Sequence, residues 1–205
     1  MKIAILGASG RTGQSVTRLA LAAGHSVRAL ARNRSKLAVA HERLEVIAGD
    51  ATDAAAVTGL VSGCDAVISA LGPSAETTNV CSTATRHVIA AGARRYVVVS
   101  GAGLDVEGDQ KDLIGKVVSW LVRVLSPAVF ADKVAEFDLL KNSQIPFVAV
   151  RPPRLVDTPA AGAPRVSLQR AQGSSVSRED LAAFLLECLS DDAYLRRAPF
   201  IAGKA

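Results

Sequence analysis

Short runs of β-branched and other apolar residues alternate along most of the chain with longer, alanine-rich stretches. The runs predict strands at residues 2–6, 26–31, 44–48, 66–70, 96–100 and 147–151. The stretches between them have helical periodicity and predict helices at residues 12–23, 53–61, 76–91, 109–125 and 128–142. Strands and helices in regular alternation indicate an α/β fold, in which a doubly wound parallel sheet is covered by helices on both faces.

The pattern changes after Arg151, where prolines and a glycine predict a loop. A last helix is predicted to start at Ser177, because Asp180 follows in its first turn and can complete a capping box. Its apolar residues recur at helical spacing, so it should pack on the core. No internal repeat or linker divides the sequence, which indicates one domain, residues 1–205, with a small C-terminal substrate cap over about 152–205.

The predicted helix over 109–125 is apolar enough to be mistaken for a membrane span. Lys116, Arg123 and the following Pro127 interrupt the stretch, and its apolar residues lie on one side. We therefore expect an amphipathic helix and no membrane partner. Trp120 borders the apolar side, and the helix is placed to form a wall or lid over a substrate, so Trp120 is a candidate substrate contact.

Composition narrows the classes of function. The 205 residues are 49% hydrophobic and 21% charged, as in a globular domain. Aromatic residues make up only 4%, which argues against a base-stacking platform for nucleic acid. The formal net charge is +5, yet acidic residues interrupt nearly every basic stretch, so a small anionic ligand explains the charge at least as well as DNA does. No nucleic-acid partner is expected.

The cysteines bear on the compartment. Cys64, Cys81 and Cys188 are scattered, and they form no metal-ligand spacing with the three histidines. An odd number of scattered cysteines favours a reducing compartment, and the N-terminus lacks the pattern of a signal peptide. We expect a cytoplasmic protein without a metal site, present as a monomer or a small homo-oligomer.

A glycine-rich turn follows the first predicted strand and leads directly into a helix. Its candidate cofactor-binding residues are Gly7, Ser9, Gly10, Arg11, Thr12 and Gly13. Glycines here permit a tight turn, close approach of the backbone to a pyrophosphate, and packing of the helix on the strand. Free N–H groups at the helix start then bind the negative charge. An ordinary βα turn is the alternative, but in the first unit of an alternating chain we interpret the motif as a nucleotide site in a Rossmann-type fold.

The nucleotide is predicted from the end of the second strand. Sites for NAD(H) usually place a carboxylate about 20 residues after the turn, to bind the ribose hydroxyls. No acidic residue lies between Gln14 and His41; at and after the second strand the segment instead contains Arg28, Arg32, Arg34 and Lys36, with Arg11 in the turn itself. Guanidinium groups bind a 2′-phosphate that a carboxylate would repel, so NADP(H) is favoured over NAD(H). A solvated basic loop is the alternative.

Further cofactor contacts are expected where later strands end, because ligands of open α/β sheets bind at the carboxyl edge. Asp50 and Ala51 follow the third strand and are candidates to hold the adenine amine. Ala70, Leu71 and Gly72 end the fourth and are small enough to let the cofactor pass. Either segment is also compatible with a simple turn.

These motifs resemble the short-chain dehydrogenase/reductase superfamily in its atypical, NmrA-like branch. GASGRTG at 7–13, AGD at 48–50, SALG at 69–72 and VVVSG at 97–101 have the order and spacing of that branch. FADKVAEFDLL at 130–140, VRPPRLVD at 150–157 and the VSREDLAAFLLECL helix are similar to the small biliverdin and flavin reductases. The resemblance covers essentially the whole chain and implies a reductase that uses a nicotinamide cofactor.

The resemblance also implies two catalytic residues. A serine at the end of the fifth strand polarises the substrate in the wider superfamily, and here it is Ser100. Lys133 matches the superfamily lysine, but Val129 stands where the proton-donating tyrosine is expected, four residues earlier. A strand-end hydroxyl and a solvated helix lysine are the alternatives for the two residues. Chemistry on ordinary alcohols needs an acid near the developing alkoxide, so its absence favours a planar conjugated acceptor, such as a flavin, quinone or tetrapyrrole, which collects its proton from water.

The remaining candidates also come from the resemblance. It implies that Pro152 and Pro153 shape the nicotinamide end, and that Arg154 faces the substrate mouth, where a guanidinium can meet a phosphate or a propionate. A surface arginine is the alternative for Arg154. Two other functions stay open: a non-catalytic NADP(H) sensor of the NmrA-like type, and sugar-nucleotide epimerase chemistry, which normally needs the Tyr–Lys pair.

Overall fold

A computed structural model of the protein describes residues 1–72 and 77–204. Within these ranges the centre of the molecule is a six-stranded sheet of order β3-β2-β1-β4-β5-β6, with all neighbours parallel. Its strands are β1 (Lys2–Leu6), β2 (Ser26–Ala31), β3 (Leu44–Ala48), β4 (Ala66–Ser69), β5 (Tyr96–Val99) and β6 (Phe147–Val150). This is the doubly wound Rossmann-type order, which confirms the predicted fold class.

Helices lie on both faces of the sheet. Their bounds are α1 (Arg11–Ala22), α2 (Ala54–Val61), α3 (Val80–Ala90), α4 (Leu113–Leu125), α5 (Pro127–Asn142) and α6 (Arg178–Glu187). The predicted strands agree with the structure to within one residue. Glu76, where the helix over 76–91 is predicted to begin, lies outside the described residues; residues 77–79 are not helical, and the helix begins at Val80, later than predicted.

Alternation along β1 shows how the sequence builds two core layers. Ile3 and Ile5 point into the layer beneath α1 and α6, whereas Ala4 and Leu6 point into the layer beneath α2, α3 and α5. All four side chains are completely buried. A strand that is apolar on both faces belongs in the middle of a covered parallel sheet, and β1 lies between β2 and β4. The fold therefore places the turn after β1 at the centre of the carboxyl edge.

Two predictions about local structure are wrong. The helix predicted to begin at Asp109 begins at Leu113, because Asp112 caps it by accepting a hydrogen bond from the Gly115 amide at 2.8 Å, while Asp109 binds Arg151. The loop predicted between Arg151 and the last helix contains three strands of three residues each, which are too short to show a period: β7 (Arg154–Val156), β8 (Arg165–Ser167) and β9 (Ser175–Ser177). A fourth strand of three residues, β10 (Phe200–Ala202), follows α6.

The C-terminal segment joins the main core. The α6 helix is capped as predicted, since the Ser177 hydroxyl accepts a hydrogen bond from the Asp180 amide at 2.9 Å. Leu181 and Leu185 are fully buried against α1 and β1, in one cluster with Val176 of β9. The segment reaches the carboxyl edge of the sheet where it leaves β6, through β7 and again at the start of α6.

The α4 helix leaves its apolar side exposed. Leu113 and Ile114 expose 78% and 74% of their surface, Trp120 exposes 59%, and the one buried residue of the helix is Ser119. Among the described residues no single helix is long and apolar enough to cross a bilayer. Taken together α4 and α5 would be, but they are bent by 110° at their junction.

The spacing of Phe130, Val134 and Phe137 in the sequence predicts that they form the buried face of α5. This prediction is wrong, because all three are only half-buried. The buried positions are Asp132, Glu136 and Leu140. Two carboxylates thus point inward from α5.

Candidate functional site

Two adjoining cavities lie along the carboxyl edge of the sheet. One, the β5 cavity, has a volume of about 370 Å³, and the other, the β2 cavity, about 200 Å³. The β5 cavity is lined by Gly10, Arg11, Thr12, Ala70, Leu71, Gly72, Val99, Ser100, Gly101, Gly103, Leu104, Val122, Val129, Phe130, Lys133, Leu155 and Arg178. The β2 cavity is lined by Gly7, Ser9, Gly10, Leu30, Ala31, Arg32, Gly49, Asp50, Ala51, Ala70, Leu71, Gly72, Thr77 and Val80. Gly10 and residues 70–72 belong to both, so the cavities form one groove.

The glycine turn has the close packing that its sequence predicts. Gly7 has a φ of +75°, and a Cβ on it would lie 2.8 Å from the carbonyl carbon of Ala70. A Cβ on Gly13 would overlap the Gly7 carbonyl oxygen and lie 2.7 Å from the Cα of Ala8. The N-terminus of α1 is thereby pressed against the end of β1, with its first N–H groups directed at the groove.

The β2 cavity brings a basic and an acidic side chain together. The Arg32 Nε lies 4.0 Å from Asp50 Oδ2, at the ends of the adjacent strands β2 and β3. Asp50 also accepts hydrogen bonds from the Thr52 amide at 2.8 Å and the Thr52 hydroxyl at 2.7 Å. These bonds hold the pKa of Asp50 below its ordinary value, and Arg32 acts in the same direction. The carboxylate therefore stays ionised beside Arg32.

The predicted basic cluster around a 2′-phosphate is dispersed in the structure. Arg28 binds Glu45 at 2.9 Å and three backbone carbonyls at the end of α2, so it serves packing. Arg34 and Lys36 are exposed in a one-turn helix and do not line the β2 cavity. Arg11 lines the β5 cavity instead, where it binds Asp157. Of the five, Arg32 alone lines the β2 cavity.

Ser100 follows the end of β5 and lines the β5 cavity. Its amide donates to the Val150 carbonyl at 2.8 Å, which fixes the backbone at this point. Its Oγ is buried and has no hydrogen-bond partner among the described residues. Buried hydroxyls are nearly always paired, so an orphaned one at a cavity wall indicates a ligand.

Lys133 enters the same cavity wall from α5 and is held by three acceptors. Its Nζ lies 2.8 Å from the Val99 carbonyl, 3.4 Å from the Leu71 carbonyl and 2.9 Å from Glu136 Oε2. Burial by itself would lower the pKa of Lys133, but the interactions with Glu136 and Cys81 together outweigh it, so the pKa lies above its ordinary value. All three N–H groups of Lys133 are directed at protein acceptors, so Lys133 ties the end of β5 to residues 70–72, and a catalytic role for it stays a prediction.

Two buried carboxylates of α5 near this wall, Glu136 and Asp132, were not predicted. Burial raises the pKa of Glu136, whose other oxygen accepts from the Thr85 hydroxyl at 3.3 Å. Asp132 accepts from the amides of Cys81 and Ser82, both at 2.9 Å, and so fixes the start of α3. Charged residues one turn apart on α5, at 132, 133 and 136, were the available signal.

Among the described residues, the β5 cavity contains no side chain suited to protonate an alkoxide. Val129 lines it at the position where the superfamily tyrosine is expected. Tyr96 is fully buried in β5 beside the Thr85 hydroxyl, and its burial raises its pKa. Tyr194 packs on Phe184, with ring centroids 5.7 Å apart. Neither tyrosine lines the cavity.

Four predicted contacts lie outside the lining of both cavities: Pro152, Pro153, Arg154 and Trp120. Successive side chains of a strand point to opposite faces. Leu155 points into the β5 cavity, so Arg154 before it points away. The residue of α4 that lines the β5 cavity is Val122, whereas Trp120 lies on the exposed side of the helix. A contact of these four residues with ligand stays a prediction.

Two lining residues of the C-terminal segment were not predicted. Arg178 is the first residue of α6, and Leu155 is the middle residue of β7. The sequence did not indicate that either residue lies near Ser100, because the short strands that position them were not predicted. The basic residue that starts the last helix was the one available signal.

The residues present fit a dinucleotide. The glycine turn supplies backbone N–H groups for a pyrophosphate, the β2 cavity has room and an arginine for an adenosine moiety, and the buried Ser100 hydroxyl stands at the far end. The groove crosses the sheet between β1 and β4, where the direction of winding changes. That is the ligand site of doubly wound folds.

Comparison with known proteins agrees with this geometry. The model of the NAD(P)H-binding family matches residues 7–192. The chain therefore belongs to this NAD(P)H-binding family.

Several solved structures share the fold over the whole chain. ChuY, an anaerobilin reductase from Escherichia coli O157:H7, superposes with a TM-score of 0.82 at 22% identity, over 99% of this chain and 97% of its own. A proposed NADH-flavin reductase from Streptococcus pneumoniae TIGR4 gives 0.78 at 22% identity, over 100% of both chains. A short-chain dehydrogenase/reductase from Veillonella parvula DSM 2008, solved with NADP, gives 0.79 at 19% identity, over 100% of this chain and 95% of its own.

Proposed function

We propose that the protein is an NADPH-dependent reductase that transfers hydride to a planar conjugated acceptor bound in the β5 cavity. The acceptor is of the flavin, quinone or tetrapyrrole class. The observation that carries the proposal is the unpartnered, buried Ser100 hydroxyl in a cavity whose described lining lacks a proton donor for an alkoxide.

Each part of the groove has a separate task. The turn at 7–13 binds the cofactor pyrophosphate through backbone amides, and Arg32 with Asp50 holds the adenosine end. NADPH, when bound, supplies the hydride, and the acceptor takes its proton from water. Ser100 donates a hydrogen bond to the acceptor where β5 ends. Lys133 fixes this end of the strand through its hydrogen bond to the Val99 carbonyl. Apolar residues such as Val129 and Leu155 exclude water from the acceptor's faces.

Turnover with a set of acceptors tests the proposal. Under exclusion of oxygen, the purified protein is mixed with NADPH and one acceptor at a time: FMN, riboflavin, a soluble quinone or biliverdin. The decrease of the nicotinamide absorbance band is followed. We expect protein-dependent loss of the band with at least one acceptor. Tight NADPH binding without turnover of any acceptor would favour the sensor function instead.

Ser100→Ala should slow turnover while leaving cofactor binding intact. The variant removes one hydrogen bond to the reacting complex, which corresponds to a decrease in kcat of about tenfold. Ser190→Ala is the matched control, because Ser190 is exposed at the end of α6 and its hydroxyl binds the Glu187 carbonyl. An unchanged kcat in Ser100→Ala would remove Ser100 from the mechanism.

Arg32→Glu should decrease the preference for NADPH. The change replaces a cation with a second carboxylate beside Asp50, where a 2′-phosphate would lie. We expect parallel titrations to show that the parent binds NADPH more tightly than NADH, and that the variant narrows or inverts the ratio. Arg34→Glu, which makes the same charge change outside the cavity lining, is the control. A parent protein that binds NADH more tightly would contradict the assignment of Arg32.

A further inference from the structure

The mouth of the β5 cavity has two arginines that share one carboxylate. Arg178 donates from Nη1 to Asp157 Oδ1 at 2.6 Å, and Arg11 donates from Nη1 to Asp157 Oδ2 at 3.0 Å. Both arginines line the cavity, each as the first residue of its helix, α6 and α1 respectively. The triad therefore joins the glycine turn to the C-terminal segment across the rim.

The charges of this triad do not cancel. Two guanidinium groups face one carboxylate, which leaves one positive charge at the rim. Among the described lining residues the charged side chains are Arg11, Lys133 and Arg178, all cationic, and the three N–H donors of Lys133 are already directed at protein acceptors. An anionic group that enters the cavity therefore meets Arg11 and Arg178.

The three side chains differ in exposure. Arg178 exposes only 11% of its side chain, whereas Arg11 exposes 73% and Asp157 exposes 58%. Arg178 is thus held in one position, while its bond to Asp157 lies at the solvent edge, where ion pairs are weak. A guanidinium also offers several N–H donors beyond the one that contacts Asp157. A phosphate or carboxylate can therefore bind beside Asp157 or displace it.

We propose that Arg178 and Arg11 form an anion subsite for the phosphate or carboxylate group of the acceptor. This inference rests on the proposed function, since it names the part of the acceptor that the rim binds. Guanidinium groups bind such anions with paired, charge-assisted hydrogen bonds. The cofactor pyrophosphate is the other possible recipient, because Gly10 and Thr12 line the same cavity, and the experiment separates the two anions.

FMN and riboflavin provide the test, because they differ by one phosphate group. Their dissociation constants are measured by flavin fluorescence in the presence of saturating NADP+, and that of NADP+ is measured separately. The parent should bind FMN more tightly than riboflavin. Arg178→Gln should weaken FMN binding about tenfold, the effect of losing a charge-assisted hydrogen bond, and leave the constants for riboflavin and NADP+ unchanged. Arg11→Gln should weaken FMN binding in the same direction.

Asp157→Asn should have the opposite effect. The variant removes the carboxylate that competes for both arginines, so FMN should bind more tightly while riboflavin is unaffected. A misfolded variant cannot gain affinity selectively in this way. Arg94→Gln is the matched control for loss of a surface cation, because Arg94 is exposed before the amino end of β5, at the opposite edge of the sheet.

Three results would overturn the subsite. The first is that the parent binds FMN and riboflavin with equal affinity. The second is that Arg178→Gln weakens the binding of NADP+ rather than of FMN, which would assign the arginines to the pyrophosphate. The third is that Arg154→Gln changes the ratio of the FMN and riboflavin dissociation constants whereas Arg178→Gln does not. Binding with the oxidised cofactor requires no turnover. Failure of NADPH to reduce any acceptor would therefore contradict the proposed function and leave the binding result to decide on the subsite.

Discussion

Gly13→Ala is expected to abolish cofactor binding and to destabilise the fold. The new methyl group would overlap the Gly7 carbonyl oxygen and lie 2.7 Å from Ala8 Cα. Both neighbours are backbone atoms at the end of the central strand, so no side chain can rotate to make room. The α1 helix must move away from β1, which costs about 3 kcal/mol, in the range for overpacked cores. The same movement takes the first N–H groups of α1 away from the pyrophosphate position.

Two measurements check this expectation. Urea denaturation gives the free energy of unfolding, and quenching of protein fluorescence by NADPH gives the affinity. Gly59→Ala is the matched control: Gly59 is exposed in α2, a Cβ there meets nothing within 4 Å, and alanine should stabilise the helix by about 0.5–1 kcal/mol. Parent-like NADPH binding by Gly13→Ala would show that the turn is not the cofactor site.

Asp109→Ala is expected to lower the free energy of unfolding by about 3–5 kcal/mol, as when one partner of a buried ion pair is removed. Arg151 is 1% exposed, and it binds the two oxygens of Asp109 at 2.7 and 2.8 Å. It also donates to the Leu104 carbonyl at 3.1 Å and stacks on Phe200 at 3.6 Å. Without Asp109 the guanidinium keeps its charge in a buried position that has no counter-ion.

The same substitution should also affect the cavity. Gly101, Gly103 and Leu104 line the β5 cavity, and the Arg151–Asp109 pair fixes the loop that contains them. Asp105→Ala is the matched control, since the Asp105 side chain is 51% exposed where it pairs with Lys111 and Arg123, and the ion pairs of an exposed carboxylate contribute about 0–1 kcal/mol; the buried Lys111 keeps Asp109 at 3.9 Å. Equal losses of stability in the two variants would contradict the structural role of Arg151.

The strands of the sheet could be predicted from the sequence, because the burial of a strand determines which of its residues are apolar. The strands in the middle of the sheet are almost wholly apolar, as in Tyr96–Val99, and β1, β3, β4 and β5 are each followed by a helix before the next strand, so order and handedness follow from general rules. The glycine turn could be assigned in the same way, since Gly7 and Gly13 do what only glycine can do at those points.

The remainder of the site depends on contacts between residues far apart in sequence. Arg178 lies at the cavity mouth because the three-residue strands before it bring α6 there. It shares Asp157 with Arg11, which precedes Asp157 by 146 positions. The inward face of α5 carries Asp132 and Glu136, which a hydrophobic pattern assigns to solvent. Arg28 was predicted to bind a phosphate, because its actual partners, Glu45 and the end of α2, belong to other elements and cannot be recognised from the local sequence. Local periodicity contains none of this information.

Transfer of hydride from NADPH to a planar acceptor beside Ser100 is the function that we propose for this groove. A single-turnover, oxygen-free stopped-flow experiment tests it most directly, with protein in excess over NADPH and FMN as the acceptor. We predict that the nicotinamide and flavin absorbances fall at one rate, that deuterium at the transferred position of nicotinamide C4 slows both, and that Ser100→Ala slows both further. NADPH that binds tightly but is oxidised no faster with FMN, or with any other acceptor of the set, than without protein would contradict the claim.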